Sequence, residues 1–152
     1  MSDYDTDILL WSERQADLLR RIDAGERVND QVDWKHIAEE IEALGKAQSR
    51  ELASCIATIL LHLIKLEASP ARAPRSGWRD TIAEQRDEIE RLLADAPSLR
   101  PTIPHVIVNE LARAKHRAAV ALAGHGEQPR VDPGSLGYSA DQVVGDWFPH
   151  GP

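Results

Sequence analysis

The sequence predicts an all-α fold, a four-helix bundle-like arrangement with one long central helix and a short C-terminal helix docked on it. Apolar residues recur at i, i+3, i+4 and i+7 through four stretches, the period of one helix face. Glycine and proline punctuate the chain between those stretches, at Gly25, Pro70 to Pro74, Pro97 and Gly124 to Gly126. No stretch alternates apolar and polar residues for long enough to make a strand. At 152 residues the chain can bury a core of its own, and it reads as a single helical domain over residues 1–152.

The first helix is expected from about Asp5 to Ala24. Asp5 and Thr6 can cap it, and Asp7 suits the positive end of the helix dipole. Tyr4, Ile8, Trp11, Leu18, Leu19 and Ile22 fall on one side. Arg20 and Arg21 sit where the dipole favours cations, and Gly25 is the natural stop. Asn29-Asp30 signals a turn.

The second helix, Val32 to Ala68, organises the rest. Asp33 is a good N-cap. Trp34, Ile37, Ile41, Leu44, Leu52, Ile56, Ile59 and Leu63 stay within a narrow arc. Gly45 lies on that arc, where a glycine costs ~1 kcal/mol against alanine. Its position suggests either a closely crossing neighbour or a kink. From Ile56 onward the arc widens through Ala57, Leu60, Leu61 and Ile64, so more than one neighbour should cover the second half. Pro70 and Pro74 end the helix.

A third helix should run from about Gly77 to Asp95 with Ser76 as cap. Trp78, Ile82, Ile89, Leu92, Leu93 and Ala96 make its stripe, and Gln85 falls in the middle of it. A fourth should run from Leu99 or Thr102 to Ala123, with Pro101 and Pro104 in or before the first turn. Ile103, Val106, Ile107, Leu111, Ala114, Ala118 and Ala121 face inward, and Glu110 shares that face. In the tail from Glu127, a short helix is expected over Ser139 to Asp146. Tyr138, Val143, Val144, Trp147 and Phe148 supply enough apolar surface to dock it on the bundle.

Lys plus Arg is 18 and Asp plus Glu 25, a formal net charge of −7. That argues against electrostatic capture of nucleic acid and against an anionic membrane surface. The one basic candidate face is Arg72, Arg75, Arg79 and Arg86, and nucleic-acid binding there ranks third among the functions considered. A single cysteine, Cys55, cannot form an internal disulfide and reads as a small buried apolar residue. Met1 to Asp7 lacks the pattern of a signal peptide. The apolar run Cys55 to Leu66 is broken by Thr58, His62 and Lys65 and is too short to span a bilayer. The expected setting is a soluble, cytoplasmic one.

Three polar residues fall on apolar arcs: His62, Gln85 and Glu110. Glu40 shares the flank of His62 but lies about 33 Å earlier along the axis, so a partner for His62 must come from another helix. Gln85 and Glu110 are the inward-facing candidates. One reading has the three satisfying each other or nearby backbone inside the core. The other has them lining a pocket between helices, with His62 as general base or metal ligand and Glu110 as its orienter. His36 and Glu39, placed away from the stripe, reverse the Glu-x-x-His order of di-iron bundles, and no second copy exists. No metal is therefore expected. Glu39, Glu40 and Glu42 approach the magnesium motif of all-α nucleotide pyrophosphohydrolases, but Ala43 stands where a third, correctly spaced glutamate is needed. The sequence has no Gly-rich phosphate loop, no Gly-x-Ser-x-Gly, no cysteine pair and no His-Glu-x-x-His. No cofactor is expected.

These features favour a non-enzymatic helical module that binds another protein or itself. The alternative is a small hydrolase or metal-dependent enzyme with an inter-helix site around His62, Gln85 and Glu110.

Several segments together carry a family resemblance. They are Tyr4-Asp5-Thr6-Asp7 with Trp11, Asp33-Trp34, and Glu39-Glu40-Ile41-Glu42-x-Leu44-Gly45-Lys46. Further on come Leu61-His62-Leu63-x-Lys65, Ser76-x-Trp78-x-x-Thr81-Ile82-x-Glu84-Gln85-Arg86, Pro97-Ser98-Leu99-Arg100, Tyr138-Ser139 and Phe148-Pro149. This combination resembles the bacterial family DUF29 over almost the whole chain. The resemblance implies a small all-α protein and no particular activity. The chain departs from the commoner pattern at Leu66, where a tryptophan often follows the lysine.

Overall fold

Each stretch with a helical period folds as helix in the computed structural model, which describes residues 2–151. The helices are α1 (Asp3–Thr6), α2 (Ile8–Asp23), α3 (Trp34–Ala68), α4 (Arg75–Asp95), α5 (Ile103–Gly124) and α6 (Ala140–Val144). Short 3-10 turns occupy Asn29–Gln31, Pro97–Thr102 and Pro133–Ser135. The described residues contain no strand. None of their helices is long and apolar enough to cross a membrane.

The first expected helix is two helices. Asp7 leaves helical geometry at φ −152° and ψ 87°, and its carboxylate accepts the Leu10 N–H at 3.0 Å. Asp7 is thus a cap and not a first-turn residue, because its side chain satisfies a donor that an uninterrupted helix would bond internally. Gly25 ends α2 at φ +91°, a conformation glycine adopts without steric cost.

The chain divides into two units, Met1–Ala47 and Gln48–Pro152, with α3 continuous over 35 residues through the boundary. In the first unit Leu18, Val28 and Val32 form a small buried cluster, with Ile22 and Ile37 packed against it. The apolar arc of α3 is largely uncovered there: Trp34 is 51 % exposed, Ile41 63 % and Leu44 71 %. A Cβ added at Gly45 would meet nothing within 4 Å. The expected close crossing at Gly45 is therefore absent. Periodicity identifies the face that prefers burial, but it does not supply a neighbour.

In the second unit Leu52, Ile56, Ile59, Leu60, Leu63, Ile64 and Leu66 of α3 are fully buried. They share one cluster with Ile82, Ile89, Leu92 and Leu93 of α4, Ile103, Ile107, Ala114 and Ala118 of α5, and Val143 of α6. The far half of α3 is wrapped by several neighbours, as its widened arc predicts. Helix α4 starts at Arg75 with Pro74 before it, so Ser76 lies inside the first turn and does not cap. Proline tolerates this entry because its missing N–H would have no intrahelical partner there.

The tail docks. Ser139 and Gln142 form a reciprocal capping box on α6, which lies against α5. The Tyr138 hydroxyl donates to Glu67 of α3, and burial, with this bond second, raises the phenol pKa. The fastening is Arg86. It is 7 % exposed and donates from Nε to the Val143 carbonyl at 2.9 Å. Its Nη2 donates to the carbonyls of Gln142 and Trp147 at 2.8 and 2.6 Å. The guanidinium lies 4.8 Å from the Phe148 ring centroid. Arg86 therefore leaves the basic surface proposed from the sequence. It sits four residues after Ile82 and three before Ile89, on the buried stripe itself.

Candidate functional site

The three interior polar candidates occupy three different surroundings. His62 is half-buried, and its Nδ1 pairs with the Thr58 carbonyl of its own helix at 2.8 Å. The expected partner from another helix is replaced by this local acceptor. Burial holds the imidazole below its ordinary value; the nearby Lys65 and Arg117 act in the same direction, and the Thr58 bond opposes them. Gln85 lines a cavity of about 550 Å³ with Glu51, Ser54, Cys55, Glu84, Asp87, Glu88 and Arg91, to which neither His62 nor Glu110 contributes. A hydrogen bond between the Glu51 and Glu88 carboxyls raises the Glu51 pKa, as do burial and mutual repulsion. Glu110 has Arg113 at 4.0 Å on its own helix. Among the described residues no group of three or more His, Cys, Asp or Glu is arranged to hold a metal ion.

The most connected polar cluster lies in the first unit, around a residue the sequence offers only as a helix cap. Asp33 Oδ2 accepts from Trp11 Nε1 at 3.0 Å and pairs with His36 Nδ1 at 2.7 Å. Its Oδ1 takes the His36 backbone N–H at 3.4 Å, and its own N–H donates to Gln15 Oε1 at 2.8 Å. The His36 bond, with that from Trp11, keeps the Asp33 carboxyl below its ordinary value against the opposing effect of burial. Tyr4 stacks on the His36 ring at 3.9 Å and meets Trp11 edge-on at 5.0 Å. Its hydroxyl donates to Glu40 at 2.6 Å, which pushes the phenol up to about 12. His36 is thus half-buried and engaged, not free on the solvated flank. The bonds fix α1 and α2 to the first turns of α3.

Trp11, Gln15 and Glu40 of that cluster also line an apolar groove between α2 and the first half of α3, with a volume of about 640 Å³. Ile8, Leu9 and Leu19 of α2 face Ile37, Ile41 and Leu44 of α3 across it. The sequence signal was the arc itself. What it could not show is that the arc stays open.

The chain matches the family model described as "Domain of unknown function DUF29" over residues 4–148. It belongs to the DUF29 family. This DUF29 protein is also similar to an α-helical protein of unknown function from Rhodospirillum rubrum, known from a crystal structure. The two share 27 % identity and a TM-score of 0.63, over 98 % of this chain and 93 % of that one. A comparison with curated proteins returns no match. Neither the DUF29 description nor the R. rubrum neighbour shows a specific activity.

Proposed function

We propose that this protein is a non-enzymatic helical interaction module whose N-terminal unit receives an amphipathic, basic helix of another protein. The observation that carries the reading is the open groove. Leu9, Ile41 and Leu44, each more than 60 % exposed, border one concave strip. A contiguous exposed apolar patch of this kind marks an interaction surface more often than scattered single residues do. On α3 the anchors Ile37, Ile41 and Leu44 follow i, i+4, i+7, the spacing by which helices recognise helices in grooves. The hydrogen bonds that Asp33 makes with Trp11 and Gln15 tie α2 to the start of α3 and so hold the two sides of the groove together, which limits the ordering cost of binding.

Charge selects the occupant. The first 47 residues carry twelve Asp and Glu against six Lys and Arg, a net −6 of the whole chain's −7. A second copy would bring like charge against like, whereas a basic helix is steered in and complemented.

The test uses a 14-residue leucine/lysine amphipathic helical peptide and its leucine/glutamate counterpart as probes. Tight binding of the basic peptide is expected, weakened by salt and by at least about tenfold in Ile41→Glu or Leu44→Glu. Both positions are exposed, so the variants should keep wild-type helix content. Equal binding of the two peptides, or indifference to both substitutions, refutes the reading. A homodimer on sedimentation that Leu44→Glu dissolves would refute the basic-helix occupant and assign the groove to a second copy.

A further inference from the structure

A second concavity lies wholly within the second unit, at the C-terminal ends of α3 and α5, with a volume of about 360 Å³. That is near the lower end of small-molecule sites, about 300–1,000 Å³. Its apolar lining includes Trp78, Ala121 and Leu122. Two opposite charges, Lys65 and Glu127, face it beside the His125 imidazole, and the two do not pair with each other. Each is held elsewhere. The Lys65 ammonium rests 5.8 Å from the centroid of the Trp78 ring and forms no ion pair among the described residues. Glu127 accepts the Ser69 hydroxyl on Oε1 at 3.1 Å, and Ser69 is fully buried. Anchors of this kind fix a cation and a carboxylate on one cavity without letting them neutralise each other.

From this arrangement we infer that the cavity binds a small zwitterion with an apolar side chain, of the class of free aromatic or aliphatic α-amino acids. Lys65 takes the ligand carboxylate and Glu127 takes its ammonium. Trp78, Ala121 and Leu122 cover the side chain. A simple anion would gain Lys65 but lie beside Glu127, and a simple amine would gain Glu127 but lie beside Lys65. Only a ligand carrying both charges pairs with both walls at once, through a charge-assisted bond at each end. The inference concerns a different unit from the groove and stands or falls independently of it.

Calorimetry and thermal shift with L-phenylalanine and L-leucine test it, beside phenethylamine and 3-phenylpropionate, which each lack one charge. L-phenylalanine is expected to bind, with each single-charge analogue weaker by about tenfold or more. Lys65→Met should erase the preference for L-phenylalanine over phenethylamine. Glu127→Gln keeps the Ser69 bond and should erase the preference over 3-phenylpropionate. Circular dichroism establishes that both variants are folded, and the Trp78 indole N–H resonance should move on adding L-phenylalanine to the wild type. Failure of both amino acids to bind overturns the inference. So does binding of an analogue as tight as that of L-phenylalanine, or unchanged preference in both variants.

Discussion

Replacing Arg86 with methionine should release the tail while leaving the core of the second unit folded. Hydrogen bonds from a charged donor contribute ~1.5–3 kcal/mol each, and Arg86 makes three, to the carbonyls of Gln142, Val143 and Trp147. Against this stands the cost of burying a guanidinium, several kcal/mol, which methionine removes. The carbonyls can also recover water if the segment lifts away. The net loss should therefore be ~2–4 kcal/mol, or roughly 6–12 °C in Tm for a chain of this size. Arg86→Lys keeps the charge, but its single ammonium cannot reproduce a fork that reaches three carbonyls, so it should recover less than half of the loss. Amide hydrogen exchange locates the effect: the amides of Val143 and Gly145, bonded to the Ser139 and Asp141 carbonyls, should lose protection, while those of Ile59 to Ile64 keep it. A shift below about 2 °C with the Val143 and Gly145 amides still protected would show that apolar contacts alone hold the tail.

The two halves of α3 should respond very unequally to the same truncation. Leu60→Ala, at a fully buried site, should cost ~2–5 kcal/mol. Leu44→Ala, 71 % exposed, should stay within about 0.5 kcal/mol, and comparable costs in urea titration would mean that the groove is covered. Glu51→Gln should raise Tm at neutral pH and change little near pH 4. The Glu51 pKa lies above its ordinary 4.5 through the bond to Glu88, so the shared proton stabilises at low pH and is lost as pH rises through the raised value. A lower Tm at pH 7 for this variant contradicts that account. His62 is held below its ordinary 6.5 by burial, so its contribution is complete above that value and declines as pH falls toward the folded-state pKa. His62→Gln should flatten the stability profile between about pH 7 and 5; parallel wild-type and variant curves there would show that His62 does not carry the slope.

The long helix was legible because its signals agree. An N-cap at Asp33, an unbroken 3.6 period and a Pro70/Pro74 stop all mark the same segment. The wrapped half was legible too, since an arc that widens at Leu60 and Leu61 has to be covered from more than one side. The open half was not, because Ile41 and Leu44 carry the same periodic signature whether or not a neighbour exists. Gln85 and Arg86 share the stripe of α4, yet the amide drew attention and the guanidinium read as surface. Its acceptors lie 56 to 61 residues away, where no local pattern can announce them. The Tyr4–Glu40 bond, with 36 residues between its partners, was hidden for the same reason. His62 lies on the arc where the period puts it and is half-buried, but its hydrogen-bond partner lies one turn back on its own helix and not across the bundle.

What Arg86 grips is main chain. Carbonyl oxygens are common to every amino acid, so the grip of Arg86 itself places no demand on side-chain identity at 142 and 147, only on the path of the segment. An insertion or deletion between Val143 and Trp147 would change the spacing of the acceptors, so that Arg86 could no longer reach all three. Relatives that keep an arginine at this position should therefore conserve the length of the closing segment more strictly than the identity of its exposed side chains.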